Sequence, residues 1–213
     1  TLWTLEGIAP GQVDALNSHV DYYDVLFAGS SRNPVLGIAG SDRFYLANFD
    51  GSCRFSVPGP HVQACVLGYF RNDSEFQVAV YNAPNGPLVL YDPNGKEIWR
   101  RTPARHWELP VSNQIRNRGY HRNRPIVPAP NRRIWIIYAD GGWPWGMDGY
   151  GNVTLEFDVP DSAGVTEFPM PEGPRGDDMG FGYAVQVLDI DGDGSEEILI
   201  YNRRYLWVYR LPG

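Results

Sequence analysis

Long apolar runs are missing from this chain: no stretch approaches the roughly 18 apolar residues that a membrane-spanning helix requires, so no helical span is expected. Cysteine is scarce. Cys53 and Cys65 are the only two, which limits the chain to at most one internal disulfide, a small loop closed between neighbouring strands. A basic excess is absent as well: the formal net charge is −7, and an acidic chain lacks the surface that phosphate neutralisation needs, so nucleic acid is not an expected partner. Neither an initiator methionine nor a signal peptide opens the sequence, and Thr1 reads as an interior residue of a processed or truncated chain. Histidine is sparse too; His19, His61 and His106 have no cluster around them in sequence and read as structural residues.

What is present is a globular composition, with 213 residues, 43% apolar and 14% aromatic. The 24 glycines and 18 prolines are scattered among short apolar runs, a pattern of many short strands joined by tight turns rather than of long helices. Asp50-Gly51, Asn85-Gly86 and Asn94-Gly95 are hairpin signals. The runs recur in pairs. Val78-Ala-Val-Tyr-Asn82 followed by Leu88-Val-Leu-Tyr-Asp92 parallels Ile198-Leu-Ile-Tyr-Asn202 followed by Leu206-Trp-Val-Tyr209. Val35–Ala39 with Phe44–Ala47, and Ile134–Tyr138 with Val153–Phe157, fit the same template. First strands thus begin at Val35, Val78, Ile134 and Ile198, intervals of propeller-blade length with room for inserted loops. The expected fold is all-β: one domain over residues 1–213, a β-propeller or propeller fragment of about four blades. Long loops are inserted at 102–130, which is arginine-rich, and at 160–179, which is acidic and proline-rich.

The segment Asp189-Ile-Asp-Gly-Asp-Gly-Ser-Glu-Glu197 sets carboxylates at alternate positions of a glycine-kinked loop, directly ahead of the strand Ile198–Tyr201. Such a donor set suits a hard, oxygen-seeking cation, and the ligands expected for Ca2+ are Asp189, Asp191, Asp193, the Ser195 carbonyl and Glu197. Without a cation these carboxylates repel, so the ion's expected role is to brace the loop. In the earlier repeat Tyr69, Arg71, Asp73 and Gln77 fall opposite Asp189, Asp191, Asp193 and Glu197, a twin that has lost its ligands.

Together with the run Tyr-Asp-Pro-Asn-Gly-Lys-Glu-Ile-Trp at 91–99 and the repeated strand pairs, this loop resembles the calcium-loop β-propellers, the group of FG-GAP repeats and rhamnogalacturonan-lyase-like propellers. In the propeller polysaccharide lyases, that resemblance implies extracellular β-elimination on an acidic polysaccharide, with histidine or tyrosine as base and acid and an arginine or cation offsetting the uronate. The sequence departs from the pattern in that one loop alone carries the full calcium motif.

Nine arginines lie between Arg100 and Arg133, a local positive excess that suits a uronate polymer or, equally, pairs with the chain's own 25 acidic residues. Within it, Arg118-Gly-Tyr-His-Arg-Asn-Arg124 places His121 and Tyr120 as proton-transfer candidates beside Arg122 and Arg124, with Arg118 as a substrate-binding residue. Trp143, Trp145 and Tyr150 belong to an aromatic, glycine-rich stretch suited to stacking on sugar rings or to packing between blades. The functional expectation is a secreted acidic-polysaccharide lyase with a structural calcium. The rival is a non-catalytic carbohydrate-binding or adhesion module on the same scaffold.

Overall fold

In the computed structural model, the residues described are 19–27, 34–71, 74–82, 87–101, 126–137, 144–158, 184–201 and 205–211. Among them are thirteen β-strands and no helix, in line with the all-β expectation. The chain divides into two compact units, Thr1–Pro103 and Ala104–Gly213.

The first unit is a six-stranded antiparallel meander in sequence order: β1 (Tyr22–Leu26), β2 (Val35–Asn48), β3 (Cys53–Gly68), β4 (Gln77–Asn82), β5 (Leu88–Tyr91) and β6 (Glu97–Arg101). The runs Val-Ala-Val-Tyr and Leu-Val-Leu-Tyr are buried throughout, as continuous apolar strands must be when both sheet faces are covered. β4 pairs with β5 in the register Val78↔Tyr91, which is the strand pair read from the repeat. β6, with Glu97 and two arginines exposed, closes one edge with charge and so discourages further strand addition.

The first repeat behaves differently. Val35–Ala39 and Phe44–Ala47 are not a hairpin but the two ends of the single strand β2. Between them Ser41 takes φ 37°, and the β2–β3 register shifts between Ser41 and Arg43. A bulge bends the strand there without ending it, so one half pairs with β1 and the other with β3.

The core of this unit gathers Val35, Phe44, Leu46, Val62, Leu67 and Val80 from both halves of the bent strands. Phe55 lies between Phe44 and Tyr91, with ring centroids 5.7 and 6.0 Å away. Buried within the unit, Asp24 accepts the Leu67 amide at 2.8 Å and ties β1 to β3 across the core. Cys53 and Cys65 are free thiols, so the disulfide option is not taken, and burial pushes the Cys65 thiol up.

The second unit holds two sheets. One has the order β10-β9-β8-β7, with β7 (Ile126–Pro128), β8 (Trp135–Ile137), β9 (Trp145–Met147) and β10 (Val153–Glu156); the other is β11 (Ala184–Leu188), β12 (Glu197–Tyr201) and β13 (Leu206–Tyr209). They share a core of Val127, Ile136, Phe157, Val185, Ile198 and Ile200. The pair Ile198–Tyr201 with Leu206–Tyr209 forms as read, in the register Ile198↔Tyr209. The third repeat is corrected: β8 and β10 are not direct partners, because β9 lies between them. The stretch assigned to an inserted loop at 102–130 also contains β7. The remaining insertion, at 160–179, lies outside the described residues.

One turn recurs in three hairpins, after β2, β5 and β9. In each, a first residue (Asn48, Asp92 or Asp148) donates its amide four residues onward and accepts the amide of a glycine three residues on. That glycine, Gly51, Gly95 or Gly151, has φ between 81° and 87°, the left-handed conformation that favours glycine in such loops. Asp92 and Asp148 each accept two further turn amides through Oδ1, so the aspartate completes the turn that the glycine permits.

Substituting these glycines separates two costs. Gly95→Ala should lose about 1–2 kcal/mol to the left-handed backbone and about 1–3 kcal/mol more by displacing Phe55, since an added Cβ would lie 2.7 Å from its Cγ. Gly192→Ala, at φ 76° with nothing within 4 Å of the added carbon, should carry only the first of these, about 1–2 kcal/mol. Urea unfolding of the two variants reads the difference, and equal losses would contradict the packing role of Gly95.

Candidate functional site: the aspartate loop ahead of β12

Asp189 sits just beyond the end of β11 and folds the loop around its carboxylate. Its Oδ1 accepts the amides of Gly192 and Asp193 at 2.7 and 3.1 Å, and its Oδ2 accepts that of Gly194 at 2.9 Å. Gly192 and Gly194, at φ 76° and 89°, turn those amides inward. Asp193 Oδ1 accepts the Ser195 amide at 2.8 Å and Asp191 Oδ1 accepts that of Asp193 at 3.2 Å. The loop is therefore held by its own carboxylates.

Glu197 opens β12 and is 2% exposed. Its Oε2 accepts the Ile190 amide at 3.0 Å, which pins the loop to the strand start. Its Oε1 accepts from Arg210 through Nε at 2.9 Å and Nη2 at 2.7 Å. The same Nη2 donates to Asp191 Oδ2 at 2.6 Å and lies 3.3 Å from Asp193 Oδ2. The Arg210 guanidinium, hydrogen-bonded to Asp191, holds that carboxyl below its ordinary range.

Arg210 corrects the expectation that these carboxylates repel unless a metal is bound, because the chain supplies a cation of its own. Sequence reading missed it, since Arg210 lies two strands away from Asp189 and reaches the loop only through β12–β13 pairing. Oxygen atoms of Asp189, Asp191 and Glu197 lie within 4.8 Å of one another, and an all-carboxylate donor set fits a hard divalent cation. Asp193 is outside that trio, and Ser195 enters the loop as an amide donor to Asp193.

The degenerate twin keeps the brace and loses the charge. Gln77 opens β4, is also 2% exposed, and accepts the Arg71 amide at 3.1 Å through Oε1, much as Glu197 accepts that of Ile190. Its amide nitrogen donates to the Glu75 carbonyl at 2.6 Å. A buried acceptor at the strand start is thus common to both repeats.

Of the other candidates, Arg118, Tyr120, His121, Arg122, Arg124 and Trp143 lie outside the described residues. Trp145 lies in β9 and is buried, so its indole packs inside the unit and is not offered to a ligand. Tyr150 sits in the Asp148 turn with half its surface exposed. His19 and His61, read from sequence as isolated, converge on Asp21.

Short antiparallel sheets joined by tight hairpins are the kind of unit from which β-propeller blades are built. No family model matches the chain, and no curated protein matches it. Among solved structures it is similar to BBS1N in two crystal structures of its complex with ARL6DN. One, soaked with mercury, has a TM-score of 0.54 and 10% identity over 90% of this chain. The other, soaked with lead, has a TM-score of 0.51 and 11% identity over 95% of this chain. The chain spans about half the length of those proteins, 49% and 57%. At this identity the likeness carries the β-propeller fold alone.

Glu197→Ala removes three charge-assisted bonds from a buried acceptor and should cost about 1.5–3 kcal/mol. Glu197→Gln, which reproduces what Gln77 does in the twin, should retain much of that stability. Denaturant midpoints for the pair check this; equal destabilisation would show that the amide brace contributes nothing.

Proposed function

We propose that the chain is a β-propeller recognition module of about four blades that binds a protein partner through the outward face of the sheet β11–β13. The observation that carries this reading is the apolar character of that face. Leu188 of β11 and Leu206 and Val208 of β13 stand exposed on it, flanking Glu197 and Leu199 of β12, which are buried on the same face, while Val185, Ile198 and Ile200 fill the core on the other. Scattered apolar residues need no explanation, but several on one ordered sheet face mark an interaction surface. The fold likeness supports the choice of a protein occupant, since BBS1N was crystallised in complex with ARL6DN.

A photo-crosslinking side chain at position 206 tests it. A discrete protein adduct that disappears with Val208→Asp, while thermal unfolding is unchanged, is the expected result. Adducts that are indifferent to Val208→Asp would overturn the reading.

The aspartate loop belongs to the same proposal as a brace that Ca2+ strengthens by sharing the carboxylates with Arg210. Arg210→Gln removes one competing charge and should tighten Ca2+ binding about tenfold, equivalent to about 1.4 kcal/mol, while lowering the melting temperature in chelator. Calorimetric titration without binding in either form would remove calcium from the account.

A second reading is the acidic-polysaccharide lyase, for which Tyr150, half exposed in its turn, is the sugar-stacking candidate among the described residues. It assigns β-elimination to His121 or Tyr120 with Arg122 and Arg124. Growth of the ultraviolet absorbance of an unsaturated uronate, lost in His121→Ala, would establish it and displace the recognition module.

A further inference from the structure

Asp21, just ahead of β1, and His61, in the bent middle of β3, are brought together by the bulge that divides β2. The Asp21 amide donates to Ala39 at 2.9 Å, continuing the β1–β2 ladder up to the bend at Ser41, and Ser41 is in register with Val62 beside His61. His19, two residues before Asp21, folds back on the same carboxylate. His19 Nε2 lies 2.9 Å from Asp21 Oδ1 and His61 Nε2 lies 3.7 Å from Asp21 Oδ2. The two imidazoles stand edge to face with centroids 6.0 Å apart, and one ligand atom from each of the three residues falls within 4.8 Å of the others.

Two features distinguish this cluster from a surface ion pair. The Asp21 side chain is only 11% exposed, and its Oδ2 is buried without a hydrogen-bond partner. A buried carboxylate oxygen left unpaired is costly unless something fills the place it faces. The imidazoles, by contrast, remain open to solvent at 60% for His19 and 37% for His61, which leaves a route of entry and room for water ligands.

We propose that His19, Asp21 and His61 form a binding site for a borderline divalent transition metal of the Zn2+ class, separate from the carboxylate loop at Asp189. The donor set decides the class: two neutral imidazoles and one carboxylate suit zinc and its neighbours, whereas calcium takes oxygen ligands. The spacing is compatible with that class: ligands about 2.0–2.1 Å from a tetrahedral metal are about 3.3 Å from one another, the imidazole nitrogens lie 2.9 and 3.7 Å from the two different oxygens of Asp21, and one donor atom from each residue falls within 4.8 Å of the others. Three protein ligands leave a fourth position for water, the arrangement of an open site.

The test uses the full chain at pH 7.5 with Zn2+ as the ligand and Co2+ as a spectroscopic probe. Zn2+ at about a hundredfold excess over its Kd should raise the melting temperature by roughly 5–10 °C. Co2+ should give visible absorption bands that Zn2+ quenches and excess Ca2+ does not. His61→Gln and Asp21→Asn, chosen to keep polar side chains and checked for unchanged circular dichroism, should each weaken Zn2+ binding at least about 100-fold. Absence of the Co2+ bands in the parent chain, or bands and a thermal shift that persist in both variants, would overturn the site. His106→Ala should leave both readouts unchanged, and their loss there would likewise place the metal elsewhere.

Discussion

Backbone amides at the turns and strand starts of this chain need acceptors that the sheet ladders do not provide, and side-chain oxygens supply them. Asp92 and Asp148 do so in hairpins, and Asp189 does so for three consecutive amides of its loop. Glu197 and Gln77 do it from buried positions at the heads of β12 and β4. A short strand has few ladder bonds, so fixing where it begins sets its register, and register in turn decides which side chains enter the core.

This requirement also explains how the brace at the strand head can be charged in one repeat and neutral in the other. In both, the residue at the strand head must accept a loop amide, and either a carboxylate or a carboxamide can do that. Only the carboxylate attracts Arg210, and only the loop with additional aspartates presents a donor set suited to a hard cation. The brace is therefore the shared element of the repeat and the charge is an addition to it. In the Asp189 loop, an internal guanidinium and an external cation would draw on the same oxygens.

Bulges do comparable work in the first unit. The bend at Ser41 allows one long strand to pair with β1 at one end and β3 at the other, so Asp24 can reach the Leu67 amide within the core. The same bend aligns His61 with Asp21. A local departure from the ladder thus serves both the packing of the unit and the assembly of a polar cluster at its surface.

Several features were legible along the chain because they depend on neighbours in sequence. The continuous apolar runs of β4, β5 and β12 mark buried strands, Asp50-Gly51 and Asn94-Gly95 mark turns, and the spacing of Asp189, Asp191 and Asp193 marks a carboxylate loop. The repeat pairing held where a tight connection forces adjacent strands together; it failed at Val35–Asn48, where a bulged strand and a hairpin share the same apolar pattern, and in the third repeat, where β9 comes between the two strands read as partners. Tertiary structure alone decided which distant groups meet. Arg210 reaches Asp191 through strand pairing, and His19 and His61 meet at Asp21 through a bend, because contacts between residues remote in sequence depend on register and curvature, which no local pattern of residue types encodes.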